Sequence, residues 1–138
     1  MNTQKNITVE TLINAPIEKV WTFWTVPEHI TKWNHASEDW HTTRAENDLK
    51  IGGKFLFRME AKDGSFGFDL KGIYDNIITH KEISYTLLDD RIVTILFSQT
   101  ENGVKIMETF DAENENSLEL QKFGWQAILN NFKKYVEK

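Results

Sequence analysis

NSLELQKFGWQAILNNFKKYVEK, residues 116–138, is the one long stretch of helical periodicity in the chain, and it comes last. Leu118, Trp125, Ile128, Leu129, Phe132 and Val136 fall at helical steps, so one face of a helix is apolar. Asn116 is the expected N-cap, with Glu119 three residues on as a variant of the capping box. Lys133 and Lys134 fall on the exposed side. What precedes this tail from Trp40 onward reads in a period of two. One amphipathic helix laid on a curved antiparallel sheet makes a container, so the functional question is what fills it.

Ahead of the sheet, residues 7–14 alternate as a strand with one more apolar face. Pro16 suits a first helical position, capped by Asn14 or Ala15, and Ile17, Val20 and Trp24 then share a face flanked by Trp21 and Phe23. Pro27 opens a second short helix through about Trp33. Both are too short to stand alone, which predicts that they plug an end of the sheet.

Residues 40–45, 54–60, 66–78, 82–88, 92–99 and 104–111 read as strands. Turn chemistry separates them at Gly52-Gly53, Asp63-Gly64, Asp89-Asp90 and Asn102-Gly103. The last pair predicts a type I′ hairpin, with positive φ at both positions. Short successive turns mean a meander. The expectation is an α+β fold in a single domain, residues 1–138: a curved antiparallel sheet of six to seven strands, two short helices after the first strand, and a long C-terminal helix across the concave face. Alternation assigns that face to Phe55, Phe57 and Met59, to Phe66, Phe68 and Leu70, and to Ile83, Tyr85 and Leu87. Val93, Ile95 and Phe97 continue it, followed by Val104, Ile106 and Phe110, whose parity Glu108 shares.

Composition narrows the function. Sixteen basic against twenty-one acidic residues give a net charge of −5, with no clustered positive stripe, so nucleic acid is not an expected partner. The absence of cysteine excludes disulfides and thiolate chemistry. MNTQKNITVE lacks the apolar core of a signal peptide, and no run approaches the ~18 apolar residues of a membrane span. A cytoplasmic protein, monomeric or weakly dimeric, is the expectation.

The order of elements, with Asn14-Ala15-Pro16, Val20-Trp21, Trp33, Glu115-Asn116-Ser117, Gln121, Gly124-Trp125 and the run from Ile128 to Val136, resembles the START-like (SRPBCC) superfamily. Within it, the chain is similar to the family related to the C-terminal domain of the activator of Hsp90 ATPase. The resemblance covers essentially the whole chain and implies the helix-grip fold of START and Bet v 1-like proteins. That superfamily includes lipid carriers, hormone and flavonoid binders, cyclases and chaperone regulators, so function has to come from the site. An Hsp90-type chaperone is one implied partner. The co-chaperone's further N-terminal domain has no counterpart here, which argues against ATPase activation.

On such a fold, Trp125, Leu129 and Gln121 would form the lid of a cavity, and Trp33 and Trp40 would guard its mouth. Phe55, Phe57, Phe66, Phe68, Tyr85 and Phe97 would line it, each with ordinary core packing as the alternative. Glu108, pointing inward, would orient a ligand hydroxyl or accept a proton; hydration at a strand end, pairing with a neighbouring basic residue or a bulge would cancel that role. Gln121 needs a partner for its amide, which a water, a backbone group or a ligand could supply. Gly124 implies a close approach by residues 66–70 or an opening in the cavity wall. His29, His35 and His41 stand six apart, a spacing that suits neither helical nor strand ligand pairs, so no metal and no cofactor are expected. The reading that results is a binding protein for a small hydrophobic ligand, with chaperone regulation and catalysis through Glu108 as alternatives.

Overall fold

The computed structural model describes residues 5–138. The first four residues, part of the N-terminal stretch read above for a signal peptide, lie outside it. The elements run β1 (Asn6–Ile13), α1 (Ile17–Thr25), α2 (Pro27–Trp33), β2 (Trp40–Asn47), β3 (Lys54–Ala61), β4 (Gly67–Ile78), β5 (Glu82–Leu87), β6 (Ile92–Thr100), β7 (Gly103–Asp111) and α3 (Leu118–Val136). All strand pairs are antiparallel in the order β1-β7-β6-β5-β4-β3-β2, so β2 to β7 form the meander and β1 closes beside β7. Register shifts between Thr42 and Arg44 and between Tyr74 and Asn76 curl the sheet into a half-barrel.

Three local expectations shift by a residue. Pro16 is the extended N-cap of α1, and its carbonyl accepts from Lys19 and Val20, so the helix begins at Ile17. The cap of α3 is Ser117, whose Oγ accepts from the Leu120 N–H at 3.1 Å, while the Asn116 N–H is drawn to the Glu113 carboxylate at 2.6 Å. The β6–β7 turn is not type I′. Thr100 pairs with Gly103, the connecting residues are Glu101 and Asn102, and of Asn102 and Gly103 only Gly103 has positive φ, at 132°. A Cβ on Gly103 would lie 2.1 Å from the Ile13 carbonyl oxygen, so this glycine lets the end of β1 seat against the hairpin.

The 19 residues of α3 span about 28 Å. From its midpoint onward the helix is stitched to the open edge of β1. Gln126 Nε2 donates to the Glu10 carbonyl at 3.1 Å, Lys133 Nζ donates to the Leu12 carbonyl at 2.5 Å, and the Asn14 N–H donates to Glu137 at 2.8 Å. These bonds occupy backbone groups that an edge strand otherwise leaves unpaired. Leu129, Phe132 and Val136 are buried beneath them. Phe132 meets the rings of Trp24 and Trp33 edge-on, both at 4.8 Å, and Phe97 packs against Trp21 and Trp24. The two short helices thus plug one end of the sheet, as their length predicts. His29 Nδ1 lies 2.6 Å from the Tyr135 hydroxyl, and Asn131 Nδ2 donates to the His35 carbonyl at 2.5 Å, tying α2 and its following loop to α3.

Replacing Gly103 by Ala is expected to cost about 1–3 kcal/mol in urea unfolding, through both the strained φ and the collision with Ile13. Stability unchanged from wild type would refute the seating described for β1.

Candidate functional site

The first turns of α3, up to the stack of Trp125 on Phe110, stand off the sheet. Beneath them lies a cavity of ≈ 360 Å³ bounded by β3, β4, β5, β7, the ends of α1 and α2, and the loop before α3. Trp125 forms its roof on the β7 side, stacked on Phe110 with centroids 3.8 Å apart and planes within 10°. Phe55 and Phe57 stack at 4.9 Å along β3, and Tyr85 meets Phe55 edge-on at 4.8 Å. Trp24, Trp33 and Ile30 close the plugged end. Phe68, Leu120 and Asn116 are the exposed lining residues, which places the mouth between β4 and the first turns of α3.

Of the residues singled out from sequence, Trp33, Phe55, Phe57, Phe68, Tyr85, Glu108, Gln121 and Trp125 lie on this wall. Four do not. Trp40 and Phe66 form an outer cluster with Phe68 at the end of the sheet, their rings about 6 Å apart. Phe97 belongs to the aromatic plug, and Leu129 is packed against the core at 1% exposure. Trp33 sits at the closed end rather than the mouth, its Nε1–H donating to the Phe23 carbonyl at 2.9 Å.

Several wall residues fall outside the sequence selection. Met59, Leu70 and Ile83 share the inward parity of their strands, and Tyr74 and Arg91 follow from extending the same alternation. Leu120, Gly124 and Ile128 form a line at intervals of four on α3, obscured because its middle member has no side chain. A Cβ built on Gly124 meets nothing within 4 Å, so the glycine marks open space rather than a close approach.

The polar groups divide sharply. Gln121 is fully engaged by the loop before α3: its Oε1 accepts from the Glu113 N–H at 2.8 Å, and its Nε2 donates to the Asn116 carbonyl at 2.8 Å and the Glu113 carbonyl at 3.2 Å. It holds the lid rather than offering its amide to a guest. The Tyr74 hydroxyl donates to Asn47 Oδ1 at 2.5 Å. Glu108 is different. No register shift interrupts β7, so Glu108 faces inward between Val9 and Ile95 at 6% exposure. Burial, with no compensating bond, pushes its carboxyl up to about 8. Burial, followed by the nearby Glu108 carboxyl, also drives the Tyr85 hydroxyl well above its ordinary range.

The histidines do not converge. His29 stacks on Phe23 at 4.0 Å, His80 packs edge-on against Trp21, and His35 is held below its usual value by burial and then by Lys62 and His41. Among the described residues no three His, Asp or Glu side chains are grouped to hold a metal, and no helix is long and apolar enough to cross a membrane.

A family model described as Activator of Hsp90 ATPase homolog 1-like protein matches residues 14–137. The solution structure of an AHSA1-like protein from Aeromonas hydrophila is 44% identical, with 96% of this chain and 92% of that chain covered and a TM-score of 0.91. A protein from Cytophaga hutchinsonii is 52% identical over the same shares, with a TM-score of 0.84. A protein from Chromobacterium violaceum, 23% identical over 97% of this chain and 99% of that one, shares the fold at a TM-score of 0.87. No curated protein matches the chain.

Two outcomes follow from the polar groups. Between pH 4.5 and about 8 the folded chain keeps a proton on Glu108 that the unfolded chain has released. This group's contribution to stability is therefore fully present below pH 4.5 and is lost as pH rises toward 8, at roughly 1 kcal/mol per unit. Glu108→Gln removes that slope, so its melting temperature should gain on wild type from pH 5 to pH 8; parallel curves would show that the carboxyl is hydrated. Gln121→Leu leaves the Glu113 N–H without its acceptor and should cost about 1–3 kcal/mol in urea unfolding.

Proposed function

The chain belongs to the Activator of Hsp90 ATPase homolog 1-like family, and on that premise we propose that it binds a small hydrophobic molecule in the cavity beneath α3. The superfamily's fold often serves this purpose, and the observation that carries the reading is the hollow itself. At ≈ 360 Å³ it falls within the range of about 300–1,000 Å³ typical of small-molecule sites, with aromatic walls and few polar groups. Protein interiors are otherwise packed to crystal density, and walls that face empty space forgo dispersion contacts that a guest of matching shape restores. The mouth between Phe68 and Leu120 offers a route in. Phe110 beneath Trp125 fixes the roof, so the guest enters a space that is already shaped.

Binding should be visible in two signals at once. Trp24, Trp33 and Trp125 border the cavity, so a saturating ligand changes tryptophan emission, and at a hundredfold excess over Kd it stabilises the fold by about 2.7 kcal/mol. A panel of lipids and flat aromatic compounds should contain at least one class that moves both signals. Gly124→Phe places a ring in the open space and should abolish both responses while unfolding stays cooperative. Gly124→Ala should instead stabilise the empty protein by up to about 1 kcal/mol, the helical advantage of alanine over glycine. If no member of a broad panel changes emission or melting temperature, the binding function is rejected.

A further inference from the structure

The register locates Glu108 within the cavity. Val9, Glu108, Ile95 and Ile83 form one row across the sheet; Phe110, Val93 and Tyr85 form the next; Arg91 lies beyond, beside Leu87. On the other side of the Glu108 row stand Ile106 and Phe97, which back onto the plug of Trp21 and Trp24. Glu108 is therefore at the closed end, Tyr85 is one step outward, and Arg91 and Glu113 lie toward the rim.

The partners of these groups differ as sharply as their positions. Arg91 donates to Asp89 at 2.8 Å, and Glu113 accepts from the Asn116 N–H at 2.6 Å. Gln121, Tyr74 and Asn34 each hold a protein partner. Glu108 and the Tyr85 hydroxyl hold no hydrogen bond among the described residues, although both border the cavity. A buried polar group without a partner costs free energy that a bound group of matching chemistry returns. In its neutral form the Glu108 carboxyl both donates and accepts, and so does a phenolic hydroxyl. A hydroxyl on the guest is the complement of both. A ligand carboxylate at that depth would bring a second acid beside Glu108, while Arg91, on the rim side of Tyr85, is already paired with Asp89. A bare hydrocarbon would leave Glu108 as it is.

We propose that the cavity selects an uncharged, flat aromatic molecule carrying a hydroxyl on the end that enters first, which Glu108 and Tyr85 engage, over aromatic acids and plain hydrocarbons. The inference rests on the reading that the cavity binds apolar molecules. The ring system then lies along Phe55 and Phe57 with its trailing edge toward Leu120 and Phe68.

Calorimetric titration of the full chain at pH 7 with naphthalene, 2-naphthol and 2-naphthoate separates the two claims. Wild type should bind 2-naphthol about tenfold more tightly than either of the others, the worth of roughly one good buried hydrogen bond. Glu108→Met, which replaces the unpaired acid by an apolar side chain of similar length, should leave naphthalene binding at least as tight and bring 2-naphthol to within about threefold of it. Tyr85→Phe should reduce the same preference by a second, independent change. Equal binding of the three probes by wild type, tighter binding of 2-naphthoate, or a preference that survives in both variants overturns the selectivity while leaving the binding function standing. If no probe binds, the selectivity falls, and the broad panel decides the binding function.

Discussion

The structure depends on an unequal hold on α3. From its midpoint onward it is bonded to the free edge of β1 through Gln126, Lys133 and Glu137, and it buries Leu129, Phe132 and Val136. Ahead of Gln126 it is held by the stack of Trp125 on Phe110 and by the clasp of Gln121 on the loop from Glu113 to Ser117. A helix is a stiff rod, so fixing its far end against an edge strand fixes the height of its near end above the sheet. The hollow is thus a consequence of geometry. The sheet curls away at its two register shifts while the rod continues straight, and the space between them belongs to neither.

That division explains which residues could be read from the sequence. The strands, the meander and the single long helix follow from periods of 2 and 3.6 that few residues break, and each element is found within a residue or two of its expected bounds. Turn and cap details were less legible because they depend on competition between neighbours. Ser117 and Asn116 are both good caps, and Glu113, reaching the Asn116 N–H, leaves the role to Ser117. Parity correctly aimed Glu108 inward but could not say how far along the sheet the cavity extends. Phe97 and Glu108 share the concave face, yet Phe97 is one row into the plug, where it packs on Trp21 and Trp24. Phe66 lies just before the strand begins, so alternation did not govern it.

The same division separates residues that hold the fold from those that shape the site. Gln121 shows how easily the two are confused: an inward amide on the roof suggests a ligand contact, but four backbone groups of the adjoining loop already surround it. Glu108 is the opposite case. Nothing in the sheet requires a carboxyl between Val9 and Ile95, and an aliphatic side chain would fill the same position at lower cost. A buried acid that serves no structural bond is a standing destabilisation, and such groups concentrate where a protein meets something else.

Taken together, these features locate specificity in a small set of positions that the fold tolerates changing. Tyr85, Glu108, Leu120 and Gly124 touch the hollow without supporting the plug, the β1 seam or the clasp. Substitutions there alter the shape and polarity of the cavity while the anchored half of α3 still sets its height. Substitutions at Phe132, Lys133 or Gln121 act the other way, tilting or loosening the rod and so changing the volume for every guest alike. A fold built in this manner can accept different molecules on one scaffold. What a given chain accepts is then decided at the closed end, where here a lone acid and a phenol stand without partners.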